Sequence, residues 1–427
     1  MYSKEIKIIN PQPKTQPFAD FSSPNPMRLR LNNSISFVGL HDPNLKLIRL
    51  DIRLLAGSYF QQKPSIAAAT LKLITEGTSL LSAEEIAEQL DYFGTYFEVL
   101  PDRDFSTFTV YFPKTATLEI LTIIKQLFDN AVFPQEKIGI YKNNCKKNLA
   151  ISLEKTSYLS YTQFITTIFG EKHPYGCSLN FSDIEAITRG DIVDFYQTHF
   201  HAGNMRVFAA GNIDDSFKEL LNNTLGKLHR KETNTSVFIP IEPQTERRTY
   251  TERENALQSS ICIGKKLFNR THADWEATKV LNTVLGAYFG SRLMTNIREE
   301  KGLAYGISSL MNSFLQDGMF FISADVNKNQ VQQATDEIYK ELLQLTQTEI
   351  TNKELSLVKN YLYGTFLRNF DGIFSQIDRI ILSDDYHFED TYWENCCTLY
   401  KSIDCATLFS LANTYLHPDG MTKVVVG

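Results

Sequence analysis

The sequence of 427 residues is short of the features that mark specialised classes of protein. It has no apolar run near the roughly 20 residues that a bilayer-crossing helix requires, so a membrane-spanning role is not expected. At the start of the chain, Met1-Tyr2-Ser3-Lys4-Glu5-Ile6-Lys7-Ile8-Ile9-Asn10-Pro11 interrupts a short apolar piece with charge and then proline, unlike the core of a secretion signal, so export is not expected. Basic residues (43) are outnumbered by acidic ones (49), the net charge is -6, and no Lys/Arg block forms, which argues against a nucleic-acid partner. The six cysteines, Cys145, Cys177, Cys262, Cys396, Cys397 and Cys405, contain no C-x-x-C pair, and the adjacent Cys396-Cys397 lies in a segment of helical spacing. That usage fits reduced packing thiols in a cytoplasmic protein.

What is present is the balance of a globular protein: 43% hydrophobic, 12% aromatic and 22% charged residues. The length suits two domains, each with its own core. Residues 10–33 are polar and carry Pro11, Pro13, Pro17, Pro24 and Pro26, so residues 1–33 are expected to form an extended arm, with folded structure starting near Ile35. Strand-forming residues follow at 36–38 and 47–52, around an Asp42-Pro43-Asn44 turn. A helix is predicted over 64–75, stopping at Gly77. A second opens at the capping box Ser82-Ala83-Glu84-Glu85 and stops at Gly94. Paired strands over 95–100 and 105–112 and a helix over 117–128 complete the pattern.

A comparable order returns after a polar linker at 227–251: a strand at 259–264, a helix at 274–288, a helix ending near Gly302, strands at 305–313 and 318–326, and a helix from about Gln330. A period of about 200 residues is too long for a solenoid and reads as duplication of one domain. The expected fold is α+β, with two tandem homologous sandwich domains at 34–226 and 252–427, each a largely antiparallel sheet packed against helices.

The run Gly290-Ser291-Arg292-Leu293-Met294-Thr295-Asn296-Ile297-Arg298-Glu299-Glu300-Lys301-Gly302-Leu303-Ala304-Tyr305 places a basic side chain and a phenol where they could jointly grip a peptide carbonyl. Together with Ala56-Gly57-Ser58, Glu76-Gly77-Thr78, His173-Pro174-Tyr175-Gly176, Phe195-Tyr196-Gln197-Thr198-His199-Phe200, Asn204 and Ala210-Gly211-Asn212, it resembles the insulinase-like (pitrilysin) zinc peptidases along nearly the whole chain. In active members of that family the first helix carries H-x-x-E-H, whose histidines hold zinc and whose glutamate is the general base. Counting back from Glu76-Gly77-Thr78, those positions fall here on Ala68, Ala69, Thr70, Leu71 and Lys72, and the third ligand within Lys147-Asn148-Leu149. Alanine and leucine offer no lone pair, and a lysine must first lose a proton, at roughly 4 to 5 kcal/mol near neutral pH. No zinc is therefore expected in this chain.

The resemblance implies a non-catalytic subunit, in which Arg292 and Tyr305 bind an unfolded peptide substrate and stabilise its oxyanion opposite a zinc-bearing partner subunit. A homodimeric peptide-binding or scaffold protein without proteolytic role is the alternative. Set against these, Arg292 could form an ordinary surface ion pair, for example with Glu299, and Tyr305 could be a core aromatic. His199-Phe200-His201 puts two imidazoles on one side of an extended segment without a third ligand nearby, and His41, His173, His229, His272, His387 and His417 are scattered singly, so all read as structural. Ser291 has no nucleophile elbow around it. The acidic group Asp384, Asp385, Glu389 and Asp390 lacks calcium-loop spacing and reads as a solvated helix boundary.

Overall fold

The computed structural model describes residues 21–232, 239–241 and 248–427. Strands β1 (Met27–Arg30), β2 (Ser36–His41) and β3 (Leu47–Leu54) open the chain. Helices α1 (Ile66–Leu73) and α2 (Ala83–Tyr92) then lead into the hairpin of β4 (Tyr96–Pro101) and β5 (Ser106–Pro113). Five helices follow, α3 (Thr117–Asn130), α4 (Gln135–Leu153), α5 (Thr156–Phe169), α6 (Phe181–Glu185) and α7 (Arg189–His199), before β6 (Met205–Gly211) and α8 (Asp215–Thr224). The second half runs β7 (Arg248–Thr251), β8 (Gln258–Leu267), α9 (Trp275–Leu285), a π-helical segment (Met294–Glu300), β9 (Ala304–Ser313) and β10 (Gly318–Asn327). It closes with α10 (Val331–Gln347), α11 (Asn352–Arg368), α12 (Ile373–Asp385), α13 (Tyr392–Ser402), α14 (Cys405–Tyr415) and β11 (Thr422–Val426).

The two sheets are built alike. The first has the order β1-β2-β6-β3-β5-β4 and the second β7-β11-β8-β10-β9. Apart from β1 they match strand for strand, including one parallel pair in each, β2 with β6 and β7 with β11, among otherwise antiparallel neighbours. Local chemistry repeats as well. The Ser82 side chain accepts from the Glu85 N–H and the Glu85 carboxylate accepts from the Ser82 N–H, which closes the expected capping box of α2. Gly94 (φ +63°) and Gly302 (φ +61°) then turn the chain left-handed into the edge strands β4 and β9.

Successive side chains of each strand face opposite sides, and in the central strands both sides are buried. Phe37, Leu50, Val207 and Ala209 pack under the helices of their own half, as do Ile263, Phe320, Ile322 and Val425 in the second. The opposite faces are covered by an exchange of helices. From the first half, α5 lays Phe164, Ile165 and Phe169 against Cys262, Phe321, Val424 and Val426 of the second sheet. In return α12 lays Ile377, Ile380 and Ile381 against Val38, Leu40, Phe208 and Ala210 of the first.

Several sequence expectations need correction. The arm predicted to end at residue 33 already contains β1, paired with β2 from Met27↔Gly39 to Arg30↔Ser36; residues 1–20 lie outside the described residues. The predicted linker likewise ends in β7, which joins the second sheet, while 233–238 and 242–247 lie outside the described residues. Helices lie on both sides of each sheet, because the exchange of α5 and α12 covers the far faces. None of the described helices is long and apolar enough to cross a membrane.

Candidate functional site

Arg292 stands at the start of the helical turn that becomes the π-helical segment, and its side chain is largely buried. Its Nε and Nη2 donate to the two carboxylate oxygens of Glu354 at 2.7 and 2.9 Å, a two-pronged pair that fixes the guanidinium plane. Burial works against the charge, and the Glu354 carboxylate outweighs it, holding the Arg292 pKa above the ordinary arginine value. The remaining nitrogen, Nη1, is buried and has no partner among the described residues. Arg292 is therefore ion-paired, as the plainer sequence reading anticipated, but to Glu354 on α11 and not to Glu299.

Tyr305 contradicts the core-aromatic alternative, being 82% exposed. The cause is local: in the β9–β10 ladder Ala304 faces Val326 and Gly306 faces Asp325, so Tyr305 is the extra residue of a β-bulge and has no cross-strand partner. Bulges re-aim side chains where a regular pleat would not, here at the beginning of a free edge strand. No hydrogen bond joins Arg292 to Tyr305, but a single short stretch of chain, turned at Gly302, carries both.

The α1 positions corresponding to the zinc motif are arranged as packing. Ala69 and Leu71 are fully buried, Thr70 is spent donating to the Ile66 carbonyl at 2.9 Å, Ala68 is half-buried, and Lys72 projects to solvent. On α4, Lys147 and Asn148 are exposed and Leu149 is buried. This donor set does not fit zinc, since it offers neither imidazole nor carboxylate. α9 holds the place of α1 in the second half, and there Glu276 is buried and accepts from Tyr392 at 2.9 Å, Lys279 at 3.0 Å and Tyr400.

His199 ends α7 and does not lie in an extended segment; burial first, and then His201, push its pKa down to about 4. His201 Nδ1 accepts from the Gly203 N–H at 3.1 Å, a turn-holding role. Asp384 and Asp385 are not a solvated boundary. Asp385 is buried between Arg53 and Arg206, Asp384 pairs with Arg206 and Arg28, and the group pins α12 to the first sheet. Sequence reasoning missed Glu354 because Thr351-x-x-Glu354 looks like a capping box. Thr351 does accept from the Glu354 N–H, but the carboxylate leaves the cap for Arg292. It also missed a groove of about 560 Å³ against β9, walled by α9 and α11 through Asn282, Phe289, Leu310 and Tyr361, because its walls lie far apart in sequence.

A family model described as the peptidase M16 inactive domain matches residues 186–362, a span that includes both Arg292 and Tyr305. The chain is 26% identical over 359 residues to a Bacillus subtilis protein named uncharacterized zinc protease YmxG, covering 82% of this chain and 86% of that one. It is 24% identical over 371 residues to the non-peptidase homolog YmxG of Helicobacter pylori, covering 79% and 84%. Among solved structures, a peptidase M16 inactive domain from Pseudomonas fluorescens matches with a TM-score of 0.87 at 20% identity, over 94% of this chain and 98% of that chain.

Proposed function

From the match of residues 186–362 to the peptidase M16 inactive domain, we propose that the chain is a non-catalytic subunit of an insulinase-like zinc endopeptidase. It works opposite a partner subunit whose own first helix bears H-x-x-E-H. The metal-activated water belongs to that partner, because α1 here has no donor to hold a metal. An unfolded peptide lies extended against a sheet edge near the partner's metal helix, held by main-chain hydrogen bonds with little sequence preference.

This chain contributes two donors. Tyr305 offers its phenol from the bulge to the substrate carbonyl next to the scissile bond. Glu354 occupies Nε and Nη2 of Arg292, so Nη1, buried and unpartnered in the chain by itself, is the nitrogen left for the oxyanion, which it meets on a shift of the side chains that cover it. Such a donor is worth about 2.7 to 4 kcal/mol of barrier, or roughly a hundred- to a thousand-fold in rate. The observation that carries this reading is the 82% exposure of Tyr305 on an unpaired bulge, a place where a phenol contributes little to packing.

Mixing the purified chain with a zinc-bearing family subunit tests it. Cleavage should appear in the mixture beyond that of the zinc subunit alone, and Tyr305→Phe or Arg292→Ala should lower kcat by roughly a hundred-fold or more with the complex intact. A stable complex with no gain in cleavage overturns the proposal. One observation favours a second reading, a homodimeric peptide-binding scaffold: Arg292 is already committed to a half-buried carboxylate. A closed self-dimer that binds peptide and never gains cleavage from any zinc subunit would decide for it.

A further inference from the structure

A groove of about 600 Å³ runs between α2 and α3 on the first half, and neither Arg292 nor Tyr305 lines it. Phe93 and Ile123 form its apolar floor, and two apolar side chains stand open to solvent at its lip, Tyr92 at 84% and Leu118 at 51% exposure. Its charged lining residues are Glu88 and Glu119, and no lysine or arginine lines it. The α2 sequence AEEIAEQLDY repeats this bias, with Glu84, Glu85, Glu88 and Asp91 and no basic residue.

Thr122 in the lining donates to the Leu118 carbonyl at 2.7 Å, but the carboxylates of the groove are unspent. Neither Glu88 nor Glu119 makes an ion pair or side-chain hydrogen bond among the described residues, and Gln126 Oε1 is buried with no partner. Lys125, the basic residue next to Gln126, is engaged by Asp129. The matching place in the second half is closed from within. Lys301, just after the π-helical segment, pairs with Glu337 of α10, and Asn296 donates to Glu337 at 3.2 Å and Glu341 at 2.7 Å. The two carboxylates are acceptors of one sign with no cation in the lining, and Gln126 Oε1 is a further unpartnered acceptor, so the groove calls for a partner that brings positive charge.

We propose that the α2–α3 groove docks an amphipathic helical segment of a partner protein, apolar on one face and lined with lysine or arginine along that face's edges. Apolar anchors spaced three and four residues apart settle on Tyr92, Phe93 and Leu118, flanking cations meet Glu88 and Glu119, and one donor reaches Gln126. The acidic rim repels anionic lipid headgroups, which disfavours a membrane surface as occupant. Nothing in this site depends on the Arg292 and Tyr305 reading, so either can fail alone.

Fluorescence anisotropy of a labelled synthetic amphipathic helix of leucine and lysine, titrated with the full chain, is the test. The leucine–lysine peptide should bind, and a leucine–glutamate peptide of the same pattern should not. The double change Glu88→Lys with Glu119→Lys should weaken binding about tenfold or more, while Glu254→Lys with Glu349→Lys, an equal change of net charge at exposed sites in the second half, should leave it within about twofold. Leu118→Ser, at an exposed position, should leave the circular dichroism spectrum unchanged and weaken binding even in high salt. Equal loss from the two double variants, insensitivity to Leu118→Ser, or no binding of the cationic peptide overturns the proposal. Self-association abolished by Glu88→Lys with Glu119→Lys, or groove-dependent binding to phosphatidylserine vesicles, overturns it as well, by assigning the groove to a second copy or to a membrane.

Discussion

Edge strand β4 in the first half and edge strand β9 in the second are entered in the same way, through a left-handed glycine that ends a helical segment. In β4 the ladder is regular from its first residue, and Tyr96 faces Tyr111 with ring centroids 6.1 Å apart. In β9 one extra residue breaks the ladder, and Tyr305 loses its cross-strand neighbour. The helices beside these strands differ in the same sense. α1 is a packing helix of alanine and leucine, whereas α9 buries Glu276 in a ring of tyrosine and lysine donors. A duplicated backbone therefore does not duplicate chemistry, because single insertions and side-chain choices decide what each copy presents.

The exchanged helices show the same divergence in their energetics. α5 holds the second sheet through aromatic and aliphatic contacts, with Phe164 fully buried. α12 holds the first sheet through a small apolar patch and a row of ion pairs, Arg49 with Asp378 at 2.6 Å, Arg53 with Asp385 at 2.6 Å, and Arg206 with Asp384 and Asp385 at 2.6 and 2.7 Å. The strand faces explain the choice, since the alternate positions Arg49, Asp51 and Arg53 of β3 point toward α12 and need partners there.

Phe164→Ala should give the largest loss, about 3 to 5 kcal/mol, read as a fall in the denaturation midpoint, because it leaves a cavity between the halves. A loss near zero would mean that α5 does not hold the second sheet. Asp385→Ala should cost about 3 kcal/mol by stranding Arg53 and part of Arg206 in a dry interface, and the loss should depend little on salt. If moderate salt erased it, the pairs would be solvated ones.

Asp104 links the two hairpin turns, accepting from Tyr175 Oη at 2.5 Å and from the Leu315 N–H at 2.9 Å. Burial, opposed by these donors, pushes its pKa up to about 6. The native state thus holds the proton more tightly than the unfolded chain does. The contribution of Asp104 to stability should rise as pH falls below about 6, by about 1.4 kcal/mol per unit until the unfolded value near 3.9, and should be smallest at neutral pH and above. Asp104→Asn should remove that slope, and identical pH profiles for the two proteins would refute the assignment. The smallest effect is expected at Lys72→Ala, on the exposed side of α1: within about 0.5 kcal/mol of stability and no change in reconstituted cleavage. A large change there would mean that the first half is not chemically silent.

Much of this was legible in the chain. Ser82 with Glu85, Gly94 and Gly302 fix helix ends through local bonds and backbone freedom, so their elements stand where spacing puts them. The duplication could be read from element order alone, and the lack of histidine, aspartate and glutamate at 68–72 from the residues themselves. The fate of Asp384 and Asp385 could not, because their arginine partners lie 178 and 332 residues away in the chain. The link from Glu354 to Arg292 spans 62 residues, and only the N-cap half of the Thr351-x-x-Glu354 spacing is formed.

By itself, then, the sequence determined the repeated α+β architecture, the lack of histidine and carboxylate on α1 and the short spacing between Arg292 and Tyr305, since each follows from residue type and short-range spacing. Only the tertiary structure decided that Tyr305 is lifted out on a bulge, that Arg292 is pinned through two of its nitrogens, and that each half lends a helix to the other. Those outcomes depend on strand register and on contacts between residues far apart in the chain, which local periodicity does not encode.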